Sequence, residues 1–251
     1  LYQKQLSQYL DALLKPQALK DYCPNGLQVE GNGRPIQRLA TAVTASLEAI
    51  EDAIALKADV LLVHHGLFWK GDCPTVVGPK RVRLALALEA GLAIYAYHLP
   101  LDIHPILGNN AQLAKHMGWH VSEFLDLPDL PGGLAVVRFV SPIPVGAIAE
   151  ELTMRLNRTP VCLAAQPDVQ TLAICTGAAQ KFAQQVAELG ADAYLTGELS
   201  EQSYHTATEY GLSIFGAGHH ATERYGVQAL GAHLAEEFGL YHQFLESDNP
   251  I

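Results

Sequence analysis

Two passages, Leu39-Ala40-Thr41-Ala42-Val43-Thr44 leading to Ala58-Asp59-Val60-Leu61-Leu62-Val63, and Leu172-Ala173-Ile174-Cys175-Thr176-Gly177 leading to Ala191-Asp192-Ala193-Tyr194-Leu195-Thr196, decide the fold. Each run is short, apolar and rich in β-branched or aromatic residues, as a buried strand requires. Between the runs, Leu47, Ile50 and Ile54 in the first passage and Phe182, Val186 and Leu189 in the second recur at helical spacing. Both passages therefore read strand, helix, strand, and both place an Ala-Asp pair just before the second strand.

Reading outward, each passage continues through a helix-like segment into a third apolar strand, Gly91 to Ala96 and Gly211 to Gly216. Strands alternating with helices predict an α/β fold with largely parallel sheets covered by helices on both faces. The echo between the halves predicts two related three-layer α/β domains from an internal duplication. The turn-rich stretch Leu127-Pro128-Asp129-Leu130-Pro131-Gly132-Gly133 places the expected junction at 128/129, giving domains over 1–128 and 129–251, with terminal elements open to exchange between the halves.

Composition narrows the functional classes. The 251 residues include 26 acidic and 16 basic side chains, a formal charge of −10, and 49% are apolar. Such a chain fills a core, and its acidic surplus argues against bulk nucleic-acid binding, which rests on Lys and Arg neutralising phosphates. No apolar run approaches the roughly 18 residues of a membrane span. Cys23, Cys73, Cys162 and Cys175 are scattered without a Cys-x-x-Cys pair, and Leu1 to Gln5 show no basic-then-apolar leader, so reduced thiols and a cytoplasmic location are expected.

In open α/β sheets, ligands sit beyond the carboxyl ends of the strands. Here those ends carry His64-His65-Gly66, His98-Leu99-Pro100-Leu101-Asp102, Gly197-Glu198 and Gly218-His219-His220-Ala221-Thr222-Glu223. Imidazoles and carboxylates gathered at equivalent strand ends predict a metal site built by both halves. Adjacent strand residues point to opposite faces, so His64 and His65 would diverge toward two neighbouring ions once Gly66 ends the strand. His219 and Glu223 fall one turn apart if a helix starts near Gly218, and spacing alone leaves His219 and His220 equally eligible. Pro100 disfavours a helix, so Asp102 is expected to enter from a loop. Asn25-Gly26 and Phe68-Trp69 read equally as cleft walls or as a structural turn and ordinary packing. Phosphate-cradling glycine motifs, a Gly-x-Ser-x-Gly elbow and zinc-finger cysteine spacing are all absent.

The segments Asn25-Gly26-Leu27-Gln28-Val29-Glu30-Gly31, His64-His65-Gly66, His98 to Asp102, Gly108-Asn109-Asn110, Thr196-Gly197-Glu198 and Gly218 to Glu223 together resemble the family of GTP cyclohydrolase 1 type 2 homologues, also called NGG-one-interacting-factor-three-like proteins, in its short bacterial form. The resemblance covers essentially the whole chain. It implies two related α/β domains with a dinuclear metal site in the cleft between them, assembled as a homohexameric ring. It further implies two divalent ions per chain (iron, manganese, zinc or nickel), held by His64, His65, Asp102, His219 and Glu223, with Glu223 bridging. His98 and Glu198 would stand beside the ions as the catalytic, proton-moving groups. The expected activity is metal-dependent hydrolysis of a small, anionic molecule such as a nucleotide, pterin or cyclic amide, through a metal-bridging hydroxide. The alternative is a non-catalytic metal-binding or metal-delivery protein, or a ring-shaped interaction scaffold.

Overall fold

Val60, Leu61, Leu62 and Val63 are all fully buried, which is why this run lacks the polar alternation of a half-exposed strand. It forms the centre of a five-stranded sheet in the computed structural model, which describes residues 1–251. The chain forms two units, one of Leu1–Leu101 with Val227–Asp248, the other of Asp102–Gly226 with Asn249–Ile251.

In chain order the elements are α1 (Gln3–Leu14), β1 (Gly26–Val29), β2 (Arg38–Thr44), α2 (Leu47–Ala55), β3 (Val60–His65), α3 (Gly78–Ala90), β4 (Ala93–Ala96) and α4 (Leu99–Asp102). There follow α5 (Asn109–His116), β5 (Val121–Leu127), β6 (Leu130–Pro144), α6 (Val145–Leu156), β7 (Val161–Leu163) and β8 (Asp168–Ile174). The chain closes with α7 (Ala183–Glu188), β9 (Ala193–Thr196), α8 (Glu201–Tyr210), β10 (Ser213–Gly216), α9 (His219–Phe238) and β11 (Tyr241–Phe244).

The first unit's sheet runs β1-β4-β3-β2-β11. All its pairings are parallel except that of β1 with β4. The last turns of α9, from Val227 onward, and β11 belong to this unit. Its core packs Ala40, Ala42, Leu61, Val63, Ile94 and Ala96 of the sheet with Ile50 and Ala53 of α2. Ser46 caps α2 by accepting the Ala49 N–H at 3.0 Å.

The second unit's sheet runs β5-β6-β8-β9-β10-β7 and is mixed. Only β8–β9 and β9–β10 are parallel; β5–β6, β6–β8 and β7–β10 are antiparallel. The expectation of largely parallel sheets thus holds for the first sheet alone. The stretch expected to join two domains is instead the tight turn of the β5–β6 hairpin, where Asp129 takes φ 59° and Gly132 N–H donates to Asp126 Oδ1 at 2.8 Å. Turn chemistry marks a hairpin as readily as a linker, and the units part at Leu101/Asp102, not at 128/129.

The two Ala-Asp pairs have the same structural job. Asp59 Oδ2 accepts the Gln37 and Arg38 N–H groups at 2.8 and 2.9 Å, and Asp192 Oδ2 accepts those of Gln170 and Thr171 at 3.0 and 2.8 Å. In each unit a carboxylate at the foot of one strand ties down the backbone of its neighbour. The helix stripes are narrower than the spacing predicts, since Leu47 and Leu189 are exposed while Ile50 and Val186 are buried. No helix is long and apolar enough to cross a membrane.

Candidate metal centre

In the first unit, β3 delivers His64 and His65 at its carboxyl end. His64 Nδ1–H donates to the Tyr97 carbonyl at 3.0 Å, and His65 Nδ1 shares a hydrogen bond with Thr44 Oγ1 at 3.2 Å. Each ring is thereby turned on a backbone or hydroxyl oxygen of the adjacent strand end. Strand alternation does not carry the two rings far apart: their centroids are 4.7 Å apart with planes at 46°.

Gly66 follows the end of the strand, and a Cβ there would collide with the Gln28 carboxamide. That carboxamide accepts the Leu67 N–H at 2.7 Å and donates to the Pro24 carbonyl at 2.9 Å. Asn25 accepts the His98 N–H at 2.7 Å through Oδ1 and donates to Asp21 Oδ2 at 2.8 Å through Nδ2. Asn25 thus braces the backbone that carries His98, and Gln28 that of Leu67, two residues past His65. Trp69 packs edge-on against His98, with centroids 5.0 Å apart.

His98 follows β4 and Tyr97. Its Nδ1 lies 2.7 Å from Asp21 Oδ1, whose side chain is 3% exposed. Burial alone would raise the Asp21 carboxyl, but the hydrogen bonds it accepts from His98, Asn25 and the Leu99 N–H outweigh burial and lower it. One ring nitrogen from each of His64, His65 and His98 lies within 4.8 Å of the others.

In the second unit, Asp102 stands at the end of α4 rather than on the expected loop. Pro100 falls in the helix's first turn, where its missing N–H has no intrahelical partner to lose. Asp102 Oδ1 accepts Asn109 Nδ2–H at 2.8 Å and, more weakly, the Thr176 hydroxyl at 3.4 Å. Asn110 completes the frame, accepting the Thr176 N–H at 2.9 Å and donating to the Gly133 carbonyl at 3.0 Å.

Helix α9 begins at His219, after Gly218 at φ +99°. His219 Nδ1–H donates to Glu198 Oε1 at 2.6 Å, and its Nε2 lies 3.1 Å from Glu223 Oε2 one turn on. Geometry thus resolves the choice that spacing left open: His219, not His220, stands against Glu223. Glu223 is 2% exposed, and one of its oxygens lies within 4.8 Å of one of Asp102. The carboxylate rests on Gly177, where a Cβ would overlap Glu223 Oε1. Burial works to lower the His219 imidazole, but Glu223 and Glu198 outweigh it and push it up to about 9. A site that holds a proton between two carboxylates is a site that favours a cation.

The first unit therefore groups ring nitrogens of His64, His65 and His98, and in the second Glu223 stands close both to Asp102 and to His219. Such buried His, Asp and Glu clusters can bind a metal, and mixed nitrogen and oxygen donors suit first-row divalent ions. Hydrogen bonds that orient each ligand from behind are the usual companions of such donors. Asp21 is a supporting residue that the sequence reading did not single out, and Asn109, quoted there only as part of a motif, gains its role from its bond to Asp102. Asp21 is 77 positions from His98, and no local spacing links them. Burial, with the Asp102 and Glu223 charges, pushes the Cys175 thiol far up and keeps it protonated.

Residues 2–250 match the protein family described as Duf34/NIF3 (NGG1p interacting factor 3). The "GTP cyclohydrolase 1 type 2 homolog" of Allochromatium vinosum is 49% identical over 98% of this chain and 96% of its own. Among solved structures, protein ybgI, described as of unknown function, superposes with a TM-score of 0.94 at 41% identity, covering 100% of both chains. TTHA1606 from Thermus thermophilus does so with a TM-score of 0.87 at 33% identity, again covering 100% of both.

Proposed function

Because the chain belongs to the Duf34/NIF3 family, we propose that its two donor sets serve one dinuclear centre that hydrolyses a small anionic molecule. In this reading His64, His65, Asp102, His219 and Glu223 would hold the ions. The observation that carries it is His219, fixed by Glu198 on one nitrogen and facing buried Glu223 with the other. Residues and metal fit in their chemistry: each ligand histidine is already held through Nδ1 by a carbonyl, a hydroxyl or a carboxylate.

When bound, two divalent ions supply Lewis acidity and a water of lowered pKa. The chain supplies the rest. Asn109 and Thr176 hold Asp102, Glu198 holds His219, and Gly177 leaves the space that the Glu223 carboxylate fills. His98 and Glu198 are the groups placed beside the ligands to hold or move a proton. Two divalent cations against two ligand carboxylates leave net positive charge, which selects an anionic or carbonyl-bearing substrate. The names of the relatives add a purine nucleotide to the candidates, beside pterins and cyclic amides.

The test is a panel of nucleotides, pterins and cyclic amides incubated with protein loaded with iron, manganese, zinc or nickel. The reading expects hydrolysis of one class that a chelator abolishes and that Glu223→Ala lacks. Hydrolysis that survives in metal-free Glu223→Ala contradicts the mechanism. Metal bound with no exchangeable position and no turnover favours the metal-delivery role instead.

A further inference from the structure

We propose that Asp21 is the positioning residue of His98: it accepts the Nδ1 proton, fixes the ring in one tautomer, and so presents the Nε2 lone pair among the histidines. The assignment of His98, rather than Glu198, as proton acceptor rests on the hydrolytic reading above; the tautomer does not.

Hydrogen-bond bookkeeping dictates the direction. An ionised carboxylate only accepts. Asp21 Oδ2 already takes the Leu99 N–H at 3.0 Å and Asn25 Nδ2–H at 2.8 Å, while Oδ1 takes the Cys23 N–H at 3.3 Å and faces His98 Nδ1 at 2.7 Å. With donors on both oxygens, the remaining proton in that 2.7 Å contact belongs to the imidazole. Asn25 cannot be reversed without losing two bonds, because its Oδ1 accepts the His98 backbone N–H at 2.7 Å while its Nδ2 faces Asp21. One buried carboxylate and one carboxamide thus fix both the backbone and the ring of His98.

The ring has little room to turn over. Trp69 stands edge-on at a centroid distance of 5.0 Å, His64 at 5.1 Å and His65 at 5.7 Å. Once Nδ1 is committed to Asp21, Nε2 is the nitrogen that remains for the three-histidine cluster. Glu198 is placed differently. Its Oε1 holds His219 Nδ1 at 2.6 Å, so a proton taken there would loosen a ligand. The carboxylate behind His98 touches none of the five proposed ligand side chains through any of these bonds, which leaves it available to orient a proton acceptor.

The experiment is long-range nitrogen–proton NMR of the full chain labelled with [15N]histidine, metal-free and again after zinc loading, with His98→Gln identifying the His98 signals. The expected wild-type pattern at neutral pH is a protonated Nδ1 and an unprotonated Nε2 for His98. Asp21→Asn, whose carboxamide can turn an N–H toward the ring, is expected to exchange the two, with bound zinc per chain unchanged. A wild-type His98 protonated on Nε2, or on both nitrogens, overturns the proposal, as does an Asp21→Asn spectrum with the wild-type pattern. If Asp21→Asn does not fold, the wild-type spectrum decides alone. Zinc content separates the two readings: a chain that binds no zinc but shows the Nδ1-protonated ring removes the metal centre and keeps the Asp21 assignment.

Discussion

Asn109 donates to Asp102 Oδ1 at 2.8 Å while its own Oδ1 accepts the Gly226 N–H at 2.9 Å, so one buried asparagine ties a carboxylate donor to the middle of α9. Gly226 has no Cβ because one would strike that same Oδ1. Asn109→Ala removes both bonds and leaves a buried N–H to pair elsewhere. The expected outcome is a loss of about 10–100-fold in metal affinity and about 1–3 kcal/mol in stability. Competitive zinc titration and denaturant unfolding measure the two, and unchanged affinity would show that Asp102 needs no orientation from behind.

Gly177 combines two demands, a φ of +69° and the space occupied by Glu223 Oε1. Gly190 offers a matched control, with φ +81° and nothing within 4 Å of a built Cβ. Both Ala substitutions should cost about 1 kcal/mol of backbone strain. Only Gly177→Ala should also displace Glu223 and reduce metal content. Equal metal retention in the two variants would count against Glu223 as a ligand.

His242 on β11 hydrogen-bonds Thr41 Oγ1 through Nε2 at 2.9 Å, and burial holds its imidazole below the ordinary value. The unfolded chain takes up that proton at about pH 6.5, whereas the folded chain resists it until lower pH. The unfolded state then binds more protons, so stability is full above that value and falls as pH drops through and below it. His242→Gln, which keeps a partner for Thr41, should flatten this acid slope in unfolding measured against pH. A slope identical to wild type would place the titrating group elsewhere.

A homohexameric ring is expected from the family resemblance. Sedimentation of the purified protein at micromolar concentration should give a single species of six chains. A monomer under those conditions would remove the ring from the account.

Much of this was legible in the sequence because strand ends in α/β folds are where polar residues meet chemistry. The runs around Val60 and Leu195 announced buried strands, and His64, His65, His219 and Glu223 stood at the ends of strands or the start of a helix as spacing required. What stayed hidden depends on contacts between distant positions or on ambiguous local signals. Pro128-Asp129 carries turn chemistry that serves a hairpin and a linker equally, and Pro100 is tolerated in a first helical turn. Asp21 and Asn109 gained their roles only when folding set them against His98 and Asp102.

The central claim is a pair of ions held by both donor sets, and elemental analysis of untagged protein purified without chelator tests it most directly. The account predicts about two first-row ions per chain, lost in His64→Ala from one set and in Glu223→Ala from the other. Wild-type protein that carries no metal, and takes up none when iron, manganese or zinc is supplied anaerobically, would contradict it.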